Sequence, residues 1–382
     1  MMQALCQTLV QTCQPAVDLA FGDGTRLLVR PASGRVLGLY PPGSEDNFYW
    51  INPALVSEAM TQDLFDPLGY MEEWMPPLSP DLPGADFFNQ SGWINPGGDR
   101  TWLAPEIDLF IEDLDRPWET YAVQRALDPG YWKLASASRS ELTLTNDTRV
   151  RLHRSGLEVG ARVSKNYSPA ENPLQGTSMA NAGLEFAGYT QITTLEQESV
   201  PGCAIRLGIW NLLQLPSPGL MLVPTCSAVQ PRLVFGTLSN GECQTEPRMV
   251  RWEMETHGTN TKIALKPQSL TGRAGYFREH ASDGTADLVV REFDVDPDGD
   301  YVDGLWAPPH ETGWAFQACC VREGGEQFNE LEYHTAAPAS EASPHCDESR
   351  VWAFRGPANA IEEASAILLG TTILPLIPKA NQ

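Results

Sequence analysis

Between Phe328 and His334 the chain reads Phe-Asn-Glu-Leu-Glu-Tyr-His. If this stretch is extended, Glu330, Glu332 and His334 point to one face and Leu331 and Tyr333 to the other, because side chains alternate along a strand. Two carboxyl groups and an imidazole then line one surface at intervals of roughly 6–7 Å. Like charges at that spacing raise the pKa of one carboxyl group, which is how a general base near neutral pH is made. The same Glu-x-Glu-x-His face could ligate a divalent cation. The bland alternative is the solvated outer face of a sandwich strand. No metal and no organic cofactor is assigned from the sequence.

A second stretch with chemical content runs from Asn95 to Glu106, Asn-Pro-Gly-Gly-Asp-Arg-Thr-Trp-Leu-Ala-Pro-Glu. Gly97 and Gly98 allow a turn barred to other residues. Arg100 and Trp102 then share one face of a strand that Pro105 terminates. A guanidinium beside an indole suits a sugar, with Arg donating to hydroxyl groups and Trp covering the ring. The alternative is a cation–π pair that fixes a loop. Arg100, Trp102 and Glu106 are taken with Glu330 as candidate substrate contacts. Trp210 joins them, because Trp210 and Gln214 share a face of the strand-like run after Leu207, although burial of Trp210 in the core would serve equally.

Other patterns exclude more than they propose. Asp294-Val-Asp-Pro-Asp-Gly299 begins like a calcium loop, but Leu305 stands where the bidentate Glu is needed and Pro297 intrudes, so an acidic turn is expected. His153, His257, His280, His310 and His345 are scattered and make no His-Glu-x-x-His pair. There is no Gly-x-Ser-x-Gly, no phosphate-binding loop and no Gly-rich dinucleotide turn, which weighs against serine hydrolases, nucleotide enzymes and zinc proteases.

The elements that must position these residues read as strands. Short alternating or apolar runs recur at Thr25–Val29, Arg35–Tyr40, Arg149–His153, Leu157–Val163, Gly188–Thr194, Ala204–Gln214, Arg232–Phe235, Val250–Glu255, Lys262–Leu265, Ala286–Phe293, Gly313–Val321 and Arg350–Phe354. Turn clusters such as Ser239-Asn240-Gly241 separate them. So many strands without helices between them imply an all-β sandwich or barrel. One helix is expected over Ala358–Leu369, closed by Gly370, and a second, short one over Pro53–Met60. Asp66–Pro96 is Pro- and Gly-rich without periodicity and reads as a long loop across one end of the sandwich. No composition break divides the 382 residues, so a single domain is expected, with 1–20 and 376–382 peripheral.

Composition limits the partners. With 49 acidic against 26 basic residues the net charge is −23, which repels phosphate backbones and anionic lipid, so neither nucleic acid nor membrane is expected. No apolar run is long enough to span a bilayer. The N-terminus lacks a basic region and a long apolar core, so a cytoplasmic location is expected, or a periplasmic or secreted one if a signal peptide has been removed. The eight Cys show no metal-type spacing and read as reduced thiols. The 11 Trp and 10 Tyr supply faces able to stack on sugars as well as to fill a core. Oligomeric state is left open.

The run Gly97-Gly98-Asp99-Arg100-Thr101-Trp102-Leu103-Ala104-Pro105-Glu106 resembles a signature of an uncharacterised bacterial family in the galactose mutarotase-like (aldose 1-epimerase-like) superfamily. Trp210–Gln214, Lys262–Leu265, Tyr301-Val302-Asp303 and Asn329–Glu332 resemble the same group in order, so the likeness spans residues 20 to 375. It implies a large antiparallel β-supersandwich with a sugar-binding face and few short helices. In aldose 1-epimerases a Glu in a Leu-Glu pair on a late strand is the base and a His on a central strand the acid. By that resemblance Leu331-Glu332 makes Glu332 the base. The central counterpart, Gly208–Gln214, contains no His, which leaves His334 to supply an acid from the Glu332 strand. Asp99-Arg100 only loosely echoes the Asn-Arg sugar clamp. The reading is a carbohydrate-binding protein with epimerase-like acid/base chemistry if it is catalytic. The alternatives are a non-catalytic glycan- or sugar-acid-binding module and, further off, a glycoside hydrolase or polysaccharide lyase.

Overall fold

The computed structural model describes residues 5–7, 9, 16–53, 95–255, 258–304, 312–322, 327–338 and 344–370. The strands run β1 (Val17–Ala20), β2 (Arg26–Arg30), β3 (Arg35–Tyr40), β4 (Asp99–Ala104), β5 (Lys133–Ala137), β6 (Leu142–Arg151), β7 (Glu158–Pro169), β8 (Glu185–Gln197), β9 (Gly208–Pro216) and β10 (Gly219–Pro224). They continue as β11 (Arg232–Phe235), β12 (Cys243–Glu246), β13 (Met249–Met254), β14 (Thr261–Leu265), β15 (Arg273–His280), β16 (Thr285–Phe293), β17 (Phe316–Val321), β18 (Phe328–His334) and β19 (His345–Pro357). Residues 5–7 and 9 are helical, and the α-helices that follow among the described residues are α1 (Glu106–Leu109), α2 (Pro117–Thr120) and α3 (Ala358–Leu369). The protein is all-β, a large antiparallel supersandwich with few short helices.

Two sheets carry the fold. Sheet I has the order β1-β2-β3-β4-β9-β18-β17-β14-β11, and sheet II the order β12-β13-β10-β15-β16-β19-β8-β7-β6-β5. Their inner faces close on one apolar core, to which Leu103, Leu213, Leu331, Ile263 and Phe316 contribute from sheet I and Val163, Tyr189, Val289, Trp252 and Val351 from sheet II. The outer face of sheet II is covered by α3, whose Ile361, Ala364, Leu368 and Leu369 pack on Leu222, Leu288, Val290 and Phe354. The helix ends at Gly370, held at φ +71° with its N–H on the Ala366 carbonyl, as its place after the last apolar turn predicts.

The strands expected from alternation are present, with ends shifted by a few residues: Ala204–Gln214 begins only at Gly208, and Arg149–His153 is the tail of the longer β6. The acidic stretch after Phe293 is a turn, closed by the Gly299 N–H on the Asp296 carbonyl. The expected helix over Pro53–Met60 and the loop over Asp66–Pro96 lie, apart from Pro53, Asn95 and Pro96, outside the described residues. Among the described residues no helix is long and apolar enough to cross a membrane. Cys6, Cys203, Cys226, Cys243, Cys319, Cys320 and Cys346 are free thiols.

Candidate functional site

Four adjacent strands of sheet I, β4, β9, β18 and β17, bring the two chemical stretches together. Arg100 stands opposite Leu212 and Trp102 opposite Trp210. Glu330, Glu332 and His334 stand opposite Gln214, Leu212 and Trp210. On the far side Glu330 faces Cys319 and Glu332 faces Gln317, while Lys262 of β14 is opposite Cys319. Because directly opposed residues share a face, all of these lie on the outer face of sheet I. Leu331 and Tyr333 turn inward, where the Tyr333 hydroxyl donates to Asp347 of sheet II at 2.5 Å.

The solvated-face alternative for the late trio fails. Glu330 is 7% exposed, and Glu332 and His334 are 1% exposed each. A layer formed by α1 and the chain after it lies against this face: Phe110 packs 5.0 Å from Trp102 and 6.2 Å from Trp210, ring centre to ring centre. An all-buried strand with alternating polar residues therefore means that its polar side is packed rather than wet.

Lys262 is the charge that organises the cluster. Its Nζ lies 3.1 Å from Glu332 Oε2, 3.5 Å from Glu106 Oε2 and 4.9 Å from the centre of the Trp210 ring. Burial opposes its charge, but Glu106 and Glu332 outweigh burial and hold its pKa above the ordinary lysine value. Trp210 Nε1 donates to Glu332 Oε2 at 2.9 Å, while Glu332 Oε1 is buried without a hydrogen-bond partner. Burial raises the Glu332 pKa to about 7 against the pull of Lys262, with Glu330 and Glu106 adding to the rise. Glu106, on α1, accepts from the Tyr121 hydroxyl at 3.0 Å, and burial raises its pKa too.

Arg100 reaches the same group: its Nη2 is 3.1 Å from Glu330 Oε1, which also accepts from Gln214 Nε2 at 2.8 Å. The Arg100 guanidinium lies 4.2 Å over the Trp102 ring, so the cation–π pair forms, on a strand rather than in a loop. Trp102 Nε1 donates to Asp128, itself paired with Arg35. Asp99, by contrast, points inward to Arg291 and Tyr189, so Asp99 and Arg100 serve opposite faces and do not act together as a clamp.

His334 stacks on Trp210 with ring centres 5.1 Å apart. Its Nε2 lies 2.8 Å from Gln317 Nε2, and the same amide nitrogen donates to Asp303 Oδ2 at 2.6 Å. An amide nitrogen carries only donors, so His334 Nε2 accepts and Nδ1 holds the hydrogen. Burial, with Lys262 nearby, pushes the His334 pKa well below its ordinary value, so the ring is neutral. Its Nδ1 has no partner.

The group able to converge on a metal differs from the Glu-x-Glu-x-His set. Cys319, Glu330 and Glu332 can place ligand atoms within 4.8 Å of one another, whereas His334 is turned to Gln317. Burial raises the Cys319 thiol well above its usual pKa, so it stays protonated, and Lys262 and Arg100 already engage the carboxylates. Sequence reading missed Lys262, Asp303 and Gln317 as site residues. A signal existed for Lys262, a lone cation inside the apolar strand Thr261–Leu265. For Asp303, held in place by the Glu106 N–H at 2.7 Å, nothing local announces the contact.

No protein-family model matches the chain, and no curated protein matches it. Among solved structures the chain is similar to a protein of Escherichia coli K12 provisionally described as an aldose 1-epimerase, at 13% identity, over 88% of this chain and 98% of that one, with a TM-score of 0.43. It is also similar to the GalM/aldose epimerase homologue from C. elegans, at 9% identity, over 89% of this chain and 98% of that one, with a TM-score of 0.39. Likenesses at this level leave the chemistry to be read from the chain's own residues.

Proposed function

We propose that the outer face of sheet I binds a carbohydrate ring, and that Glu332 acts there as the general base of an aldose 1-epimerase-like reaction. Glu332 takes the proton of the anomeric hydroxyl as the bond between C1 and the ring oxygen breaks. The open chain rotates about C1–C2, and closure returns the proton from Glu332. The neutral His334, with its unclaimed Nδ1–H, is assigned to the ring oxygen, a role that a neutral imidazole fills as hydrogen-bond donor. Arg100 and Trp102 form one wall, with Trp210, Glu330 and Glu106 completing the surround.

The observation that carries this reading is Glu332 itself. One carboxylate oxygen is fixed by Lys262 and Trp210 while the other, equally buried, has no hydrogen-bond partner. Buried polar atoms are nearly always paired, and an orphan on an ionisable side chain with a raised pKa supports a ligand-binding role for Glu332. Exchange between anomers, followed by NMR or polarimetry on a panel of aldoses, tests it. A catalyst accelerates exchange, and Glu332→Gln lowers the rate by about 10²-fold or more with an unchanged circular-dichroism spectrum. Activity that survives the substitution removes Glu332 as the base.

One observation favours a second reading, in which the face binds sugar without chemistry. The position of β9 opposite His334 is held by Trp210, and Gly208–Gln214 offers no ionisable acid at all. Measurable binding with no acceleration for any aldose would establish this reading instead.

A further inference from the structure

We propose that the ligand of this face carries a primary ammonium group, so that the preferred class is a cationic amino sugar rather than a neutral aldose. The inference rests on the carbohydrate reading above and narrows it.

The charge balance of the packed face is the first support. Four carboxyl groups, Glu106, Glu330, Glu332 and Asp303, meet two cations, Lys262 and Arg100. Asp128, next along, is matched by Arg35. Lys262 lies between Glu106 and Glu332, and Arg100 pairs with Glu330. Asp303 is held by amide donors, the Glu106 N–H and the Gln317 side chain, with the neutral His334 at 3.7 Å. Among the described residues the face therefore sets four carboxyl groups against two cations, and burial pushes Glu106, Glu332 and Asp303 toward their neutral forms in place of a third cation. A ligand bearing positive charge draws these carboxyl groups back to their ionised forms and pairs with them, whereas one bearing a carboxylate or phosphate finds no free cation among these pairs.

The unclaimed atoms are the second support and are independent of charge. Glu332 Oε1, Gln214 Oε1 and Gln317 Oε1 are buried acceptors without a donor, each on a side chain at most 1% exposed. Gln317 stands directly opposite Glu332, and Gln214 is diagonal to it on the other flanking strand. His334 Nδ1 is an unclaimed donor beside them. Three of these four unclaimed atoms are acceptors. An ammonium offers three donors and no acceptor, whereas each hydroxyl brings one donor and two lone pairs. A sugar with one amino group matches this set, its ammonium on the acceptors and a ring or hydroxyl oxygen on His334.

Isothermal titration of the full chain near neutral pH decides the matter, with glucosamine and galactosamine compared against glucose and galactose. The expected result is that each amino sugar binds about tenfold tighter than its hydroxyl counterpart, the difference between a charged and a neutral hydrogen bond. Glu332→Gln and Asp303→Asn, each removing one carboxylate, should bring the ratio toward unity. The wild-type comparison stands alone should either variant fail to fold. Hydroxyl sugars binding as tightly as amino sugars, or sugar acids binding tightest, would overturn the ammonium while leaving the carbohydrate reading intact. If no sugar of either kind binds, the carbohydrate reading falls and the ammonium with it.

Discussion

Lys262 shows how one side chain sets the chemistry of its neighbours. A lone ammonium 3.1 Å from one carboxylate and 3.5 Å from another keeps two buried acids from being driven fully to their neutral forms. Lys262→Met should therefore destabilise the fold at neutral pH by about 3–5 kcal/mol, the cost of stranding a buried charge. The loss should shrink in acid, where Glu106 and Glu332 are protonated in any case. Urea denaturation at two pH values measures this, and an equal loss at both would refute it. Glu332 as base must be deprotonated, and its pKa lies at about 7, so turnover should rise with pH through that value. Removing Lys262 takes away the positive charge that lowers this pKa, so the midpoint of any residual activity should move to higher pH. A profile flat across neutrality would exclude Glu332 as the titrating group.

At the scale of elements, β4 depends on the Gly97-Gly98 turn that precedes it. Gly98 has φ +82°, and a Cβ there would meet the Val36 carbonyl oxygen at 2.2 Å, a backbone atom that cannot swing aside. Gly98→Ala should cost more than the roughly 1 kcal/mol of positive φ alone, because β3 must also shift. Since Arg100 follows two residues later, ligand affinity should fall together with the melting temperature. A variant of wild-type stability would show that the turn adapts. The same elements show what could be read locally. β18 and α3 were legible because period-two and helical patterns are written into Phe328–His334 and Ala358–Leu369. The edge strand β5, Lys-Leu-Ala-Ser-Ala, is exposed throughout and carries no such alternation. β10, Gly-Leu-Met-Leu-Val-Pro, is an unbroken apolar run between two covered faces, which periodicity cannot separate from other buried segments.

For the whole molecule, buried charges tie the two sheets together. Asp99 of sheet I pairs with Arg291 of sheet II at 2.5 Å, and Lys165 of sheet II donates to the Gly34 carbonyl beside β3. Burial, with Arg35 and Arg291 nearby, lowers the Lys165 pKa to about 7. Between that value and the ordinary lysine value near ~10.4 the unfolded chain holds a proton there that the folded chain does not. Stability should therefore rise with pH across this window, by at most about 1.4 kcal/mol per pH unit from this group. Lys165→Met should remove that slope. Thermal melts of both proteins across the alkaline range test it, and an identical slope in the two would disprove the assignment.

The sequence by itself determined the strand count in outline, the closing helix, and the pairs Glu332–His334 and Arg100–Trp102 as residues sharing a face. Those properties follow from local periodicity, which neighbours along the chain fix without help. Only the tertiary structure decided that the two pairs meet, that their face is packed rather than solvated, and that Lys262, Gln317 and Asp303 belong with them. These depend on which strands lie side by side and on what covers them, and strand order is set by the burial of the whole sandwich, not by any single stretch of residues.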